Sequence, residues 1–172
     1  GLRYYPGEVN LRLADVVVLN KIDTADRAGI EAELDAVRSV NPDATIIMGA
    51  SPVTVDDPYL VRGKRVLVVE DGPTLTHGEM KYGAGTVAAR QLGARELVDP
   101  RHCAVGEIKA TFEKYPDIGV LLPAMGYSDE QLKDLEATIN ASGAELVVIG
   151  TPMDLRRIID IKLPAVQVGY DV

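Results

Sequence analysis

Val16-Val17-Val18-Leu19-Asn20-Lys21-Ile22-Asp23 is where the fold declares itself. The apolar, β-branched run favours an extended strand, and its lack of polar alternation fits a strand buried in a parallel sheet. The polar quartet ends the strand. From about Ala25 to Val40, Ile30, Leu34, Val37 and Val40 recur near helical spacing, and Asn41-Pro42 closes that helix. Ala44 to Met48 is apolar again. Strand, helix and strand make one βαβ unit, which is too little for a free-standing domain.

The alternation continues. After the polar connection of Asp56-Asp57-Pro58 and Arg62-Gly63, a stronger strand runs from Arg65 to Val69. Helices are expected at about Ala84 to Leu92, Val105 to Lys114 and Asp129 to Asn140, with a short one near Met153 to Ile159. Strands are expected at Glu96 to Val98, Gly119 to Leu122, Glu145 to Ile149 and Ala165 to Val168. Ser128 and Gln131 have capping-box spacing, and Gly143 is placed to stop the helix they start. Five strands with four connecting helices suffice for a small Rossmann-like sheet. The boundary between the two parts falls at residues 62 and 63.

Composition narrows the function. The 172 residues are 47% hydrophobic with few aromatics, as an aliphatic α/β core requires. A formal charge of -8 argues against nucleic acid or an anionic membrane as partner. The single cysteine, Cys103, excludes an internal disulfide and a cysteine-based metal cluster, and a reducing cytoplasm is the natural setting. No apolar stretch reaches membrane-spanning length. Gly1 has no initiator methionine before it and reads as a cut or processed boundary.

Asn20-Lys21-Ile22-Asp23 is the Asn-Lys-x-Asp pattern with which many GTPases recognise guanine. An aspartate there accepts two parallel hydrogen bonds from the guanine ring N–H and exocyclic amine, a donor pair that adenine lacks. The Lys21 stem lies along the base plane, and Asn20 ties neighbouring loops together. Ala50-Ser51-Pro52 follows the next strand, where a backbone amide would meet the guanine carbonyl. Pro52 has no N–H, so Ser51 or Ala50 must donate. The competing reading is a strand end followed by an Asp or Thr helix cap. No glycine-rich phosphate loop is present, because the Gly63-Lys64 pair is followed by Arg65.

Val69 to Gly85 is the richest stretch, leaving the carboxyl end of a strand, where open α/β sheets bind ligands. Glu70 and Asp71 suit a magnesium ion, directly or through water. Gly83 and Gly85 let a phosphate or carboxylate approach the amides at the start of the next helix, and Lys81 adds a point charge. His77 brings an imidazole, whose ordinary pKa lies near neutrality, and suits a proton shuttle. Thr74 and Thr76 add hydroxyls for a substrate. The plainer reading is a glycine-rich turn from strand to helix with His77 bonded to backbone. Arg156 and Arg157 offer bidentate forks to a phosphorylated ligand, or belong to a capped surface helix in which Asp154 pairs with an arginine. Pro123 to Tyr127 supplies an apolar wall or simple packing. His102 beside Cys103 lacks a third metal ligand, so no metal site is assigned.

Three stretches, Val9 to Asp23, Gly63 to Gly78 and Ile149 to Arg157, are together similar to one family. The chain resembles the carboxyl-terminal part of the cyclic 2,3-diphosphoglycerate synthetases, whose bacterial and archaeal members are often labelled predicted GTPases. The likeness runs from Arg3 to the end. It implies an α/β protein in which residues 1–62 are the parallel-sheet fragment closing a P-loop domain and residues 63–172 a Rossmann-like domain. By the same resemblance the Walker lysine and the magnesium-binding threonine lie upstream of Gly1, in a P-loop segment of the same parent protein.

The implied reaction is ATP- or GTP-driven closure of an intramolecular phosphoanhydride in 2,3-bisphosphoglycerate, with Mg2+ as cofactor. Such chemistry needs cations on crowded phosphates and a positioned proton carrier. Arg156, Arg157, Lys81 and the Gly83 to Gly85 helix start form the expected clamp, His77 the carrier, and Glu70 and Asp71 the catalytic carboxylates. The fragment alone is expected to be inactive, and a homo-oligomer is compatible with the sequence. Two other classes stay open: a GTPase switch or metallochaperone, and a ligand-sensing Rossmann module without catalysis.

Overall fold

The computed structural model describes residues 5–72 and 82–170. It divides into two compact units, Gly1–Pro52 with Tyr170–Val172, and Val53–Gly169.

In the first unit α1 (Tyr5–Leu13) precedes β1 (Val16–Leu19), α2 (Arg27–Val40) and β2 (Thr45–Met48). The strands pair in parallel, Val16 opposite Thr45 and Leu19 opposite Met48. Asp26 caps α2 by accepting the Gly29 N–H at 2.8 Å. Asn41 follows the helix and uses its amide to donate to the carbonyls of Leu11 and Ala14, which ties down the end of α1. Valines pointing one way along β1 stay open: Val16 is 51% and Val18 58% exposed, and Ile47 beside Val18 is 49% exposed. The strand expected to be buried on both faces is covered on one, because the described residues of this unit supply a single helical layer.

The larger unit holds β3 (Val53–Val55), β4 (Arg65–Asp71), α3 (Ala84–Gln91), β5 (Glu96–Leu97), α4 (Gly106–Lys114), β6 (Leu122–Ala124), α5 (Asp129–Ala141), β7 (Leu146–Ile149) and β8 (Ala165–Tyr170) up to Gly169, the last residue of β8 counting with the first unit. Its six-stranded sheet runs β3-β8-β7-β4-β5, with β6 also on β4. The first residues of β4 pair with β5 and its last three with β6, while β7 lies on its other side; these pairings and that of β7 with β8 are parallel. Val66 to Val69 and Leu146 to Ile149 are buried, and Leu135 and Ile139 of α5 join their cluster. Ser128 and Gln131 form the expected capping box on α5.

An α/β fold with a mostly parallel sheet is therefore present. Two short elements, α1 and β3, go beyond the pattern read from sequence. The strand expected at Gly119 to Leu122 starts at Leu122, and the helix expected near Met153 to Ile159 contracts to a 3-10 turn over Leu155–Arg157, capped by Asp154. Among the described residues no helix is long and apolar enough to cross a membrane.

Candidate functional site

The chain leaves β4 toward β5 on one side and leaves β7 toward β8 on the other, so the carboxyl ends of β4 and β7 form a topological switch point, the preferred ligand crevice of open α/β sheets. Glu70 stands there, 2% exposed. Its Oε1 accepts from the amides of Gly83 at 3.1 Å and Thr86 at 2.8 Å and from the Thr86 hydroxyl at 3.0 Å, and its Oε2 accepts from the Gly85 amide at 3.3 Å. The carboxylate thus sits on the positive end of α3. Burial pushes its pKa up, against the downward pull of the Thr86, Gly85 and Gly83 donors.

Two glycines make room for it. A Cβ on either Gly83 or Gly150 would lie 2.6 Å from Glu70 Oε2. Gly83 and Gly85, expected to admit a phosphate, donate here to Glu70. A phosphate at this helix start would have to displace that carboxylate.

Asp71 is half-buried, opposite Ala124 of β6. Tyr127 follows β6 and Thr151 follows β7. Burial raises the Tyr127 pKa, the Asp71 charge raises it further, and its bond to the Thr151 side chain acts the other way, so the three groups converge from three strand ends. The phenol is a neutral group at physiological pH. Thr151 is 1% exposed; its hydroxyl donates to the Met153 carbonyl at 2.7 Å, and its own carbonyl accepts from Gln167 Nε2 at 2.8 Å. Tyr127 and Thr151 were not singled out from sequence as polar groups; the signal available was their place directly after apolar runs.

Arg156 lies at the surface and is tied to two carboxylates of the same chain. It forks onto Asp154, with Nε 2.9 Å from Oδ1 and Nη2 3.0 Å from Oδ2, while Nη1 reaches Asp56 Oδ2 at 2.7 Å. These bonds raise the guanidinium's pKa, and Arg156 in turn holds the Asp154 carboxyl below its ordinary range. The Arg157 side chain is 84% exposed, 3.7 Å from Asp154. Thr74, Thr76, His77 and Lys81 lie outside the described residues. His102 Nδ1 meets the Asp99 carbonyl at 2.8 Å, and the Cys103 thiol donates to the Pro100 carbonyl at 3.3 Å. Burial raises the Cys103 pKa, which keeps it a thiol.

In the first unit Asn20, Lys21, Asp23 and Ser51 come together. The Ser51 amide donates to Asp23 Oδ1 at 3.0 Å, and its hydroxyl donates to Asn20 Oδ1 at 3.1 Å. Ile22 N–H bonds the Gly49 carbonyl at 3.2 Å, binding the loop after β1 to the loop after β2. Ser51 is 5% exposed. The Ser51 amide is committed to Asp23 within the loop.

With this geometry in view, one comparison carries weight. Over 171 residues the chain is 57% identical to a protein named arginine synthetase ArcE, from Thermococcus kodakarensis. The match covers 99% of this chain and 38% of that protein. No family model matches. The chain is thus similar over its length to part of a longer, synthetase-named protein.

Proposed function

We propose that this chain supplies the base-reading edge and a substrate lobe of a nucleotide-dependent synthetase, in which cleavage of ATP or GTP drives bond formation. The observation that carries the reading is the joint anchoring of Asn20 and Asp23 on Ser51 at the ends of two adjacent parallel strands. An aspartate fixed by a backbone amide is oriented before a base arrives, which favours selective pairing with guanine donors. On this reading the first unit, Gly1–Pro52, completes a P-loop domain, the larger unit, Val53–Gly169, forms the Rossmann-like substrate lobe, and a phosphate-gripping segment of the same parent protein covers the bare side of β1 and β2. Magnesium would be held by nucleotide phosphates and by that segment.

For the bond formed we favour one that makes an amino acid of the arginine class from its precursor. The relative's name points that way, and so does the chemistry of the described crevice. The Asp71 charge lies close enough to act on the Tyr127 phenol, and negative charge there suits a ligand bearing cationic or N–H groups, whereas the amides at the start of α3 and the guanidinium of Arg156 face the carboxylates of Glu70, Asp154 and Asp56. The second reading is phosphoanhydride closure in 2,3-bisphosphoglycerate, supported by the Glu70 to Thr76 wording and by the exposed Arg157. Nucleoside diphosphate release by the parent protein separates the two. Release that depends on a precursor of an arginine-class amino acid supports the first; release driven by 2,3-bisphosphoglycerate, insensitive to Asp71→Asn and Tyr127→Phe, would replace it with the second.

A further inference from the structure

Tyr170 ends β8 and belongs to the same compact unit as Asn20 to Asp23. Its ring faces the Lys21 ammonium, with Nζ 5.5 Å from the ring centroid, within the range of a cation–π contact. Lys21 is the one non-glycine residue with positive φ among the described residues, at 62°. Side chains rarely adopt that backbone without compensation, and such residues gather at ligand clamps. The compensation here is local: the Thr24 and Ala25 amides and the Thr24 hydroxyl all donate to the Lys21 carbonyl, at 3.2, 3.1 and 3.3 Å.

The separation decides between two roles for the ring. A base held between the ammonium and the ring would need two van der Waals spacings, about 7 Å in all. At 5.5 Å there is no such gap. The ring is a clamp on the lysine head rather than the far wall of a sandwich. A free lysine stem samples many rotamers, and any that must be frozen on binding weakens the ligand.

We infer that Tyr170 is a positioning residue of the purine site, pinning the Lys21 ammonium so that the aliphatic stem is already laid out as a surface for one face of the base. The inference rests on the proposal that Asn20 to Asp23 reads guanine. It adds an aromatic group nearly 150 positions away in the chain, by the numbering of its two partners, and it assigns that group to affinity rather than to base choice. Every base has an apolar face, so the stem surface serves guanine and adenine alike; selection stays with Asp23.

The test titrates the 172-residue chain with guanosine and with adenosine, followed by saturation-transfer NMR, for the unaltered protein and for Tyr170→Ala, Tyr170→Phe, Lys21→Met and Asp23→Asn, each checked for an unchanged circular dichroism melt. Tyr170→Ala is expected to weaken both nucleosides about two- to fivefold, with their affinity ratio unchanged. Tyr170→Phe restores binding, and in the Lys21→Met background Tyr170→Ala has no further effect. Unaltered or tighter binding by Tyr170→Ala, a failure of phenylalanine to restore it, or a persistent effect without Lys21 overturns the clamp. Asp23→Asn tests the parent reading separately: it should collapse the guanosine preference, and a preference that survives sinks the guanine assignment while leaving the Tyr170 result standing as a measurement on a base-blind surface. Absence of guanosine binding to the unaltered chain overturns both.

Discussion

Thr86 meets Glu70 Oε1 twice, through its amide at 2.8 Å and its hydroxyl at 3.0 Å. One residue of α3 therefore fixes both the position of the helix and the orientation of a buried acid. Glu70→Ala should destabilise the chain by about 2–4 kcal/mol, because buried amides lose their acceptor. Thr86→Val, which keeps the shape and the amide bond, should cost about 1–2 kcal/mol. Urea unfolding of the two variants checks both the order and the size.

The same acid gives stability a pH dependence of unusual sign. Its folded pKa is raised above the ordinary 4.5, so between those two values the folded state holds more protons than the unfolded one. Stability contributed by this site is fullest below 4.5 and falls as pH rises toward the folded value. Glu70→Gln should flatten that part of the profile of melting temperature against pH. Asp154 acts in the opposite direction. Its pKa is lowered from 3.8 by Arg156, so its contribution is present above 3.8 and is lost as pH falls through the folded value.

Arg156 and Arg157 are neighbours with different expected phenotypes. Arg156→Ala breaks the fork to Asp154 and the bridge to Asp56 and should lower stability by about 1 kcal/mol, discounted for its partial exposure. Arg157→Ala should leave the unfolding midpoint within about 0.5 kcal/mol of the parent. A loss of substrate affinity in Arg157→Ala without loss of stability would mark it as a ligand group; a stability loss equal to that of Arg156→Ala would contradict the distinction.

Val18 lies on the bare side of β1, 58% exposed. Val18→Lys should cost the 172-residue chain less than about 1 kcal/mol and reduce its self-association in light scattering, since an open apolar face favours sticking. In a longer parent protein of the kind proposed above, with this face covered, the same change should cost about 2 kcal/mol or more through a buried charge. Equal, small losses in both contexts would show that nothing covers the face.

The alternation of strands and helices was legible because each signal is local: β-branched runs, helical spacing, and the Ser128 and Gln131 box. Asn20 to Asp23 was legible for the same reason, its four residues being contiguous. The setting of Glu70 was not, because its donors arrive 13 to 16 residues later through the close packing of a helix start on a strand end. Nor was the commitment of Arg156, whose second carboxylate, Asp56, lies 100 residues earlier. Strand β3 escaped notice because three residues carry no period to read.

The glycine at 83 that hems in Oε2 binds two separated positions into one heritable unit. Residue 83 cannot gain a methyl group while residue 70 keeps its length, and a shorter acid at 70 would open space for an alanine there; at 150 the Gly85 backbone, 3.0 Å from an added Cβ, crowds a methyl group whatever stands at 70. Across descendants of this gene, positions 70 and 83 should drift together or stand still together, so that a lineage carrying alanine at 83 betrays an altered acid at 70, while glycine at 150 should persist beside either.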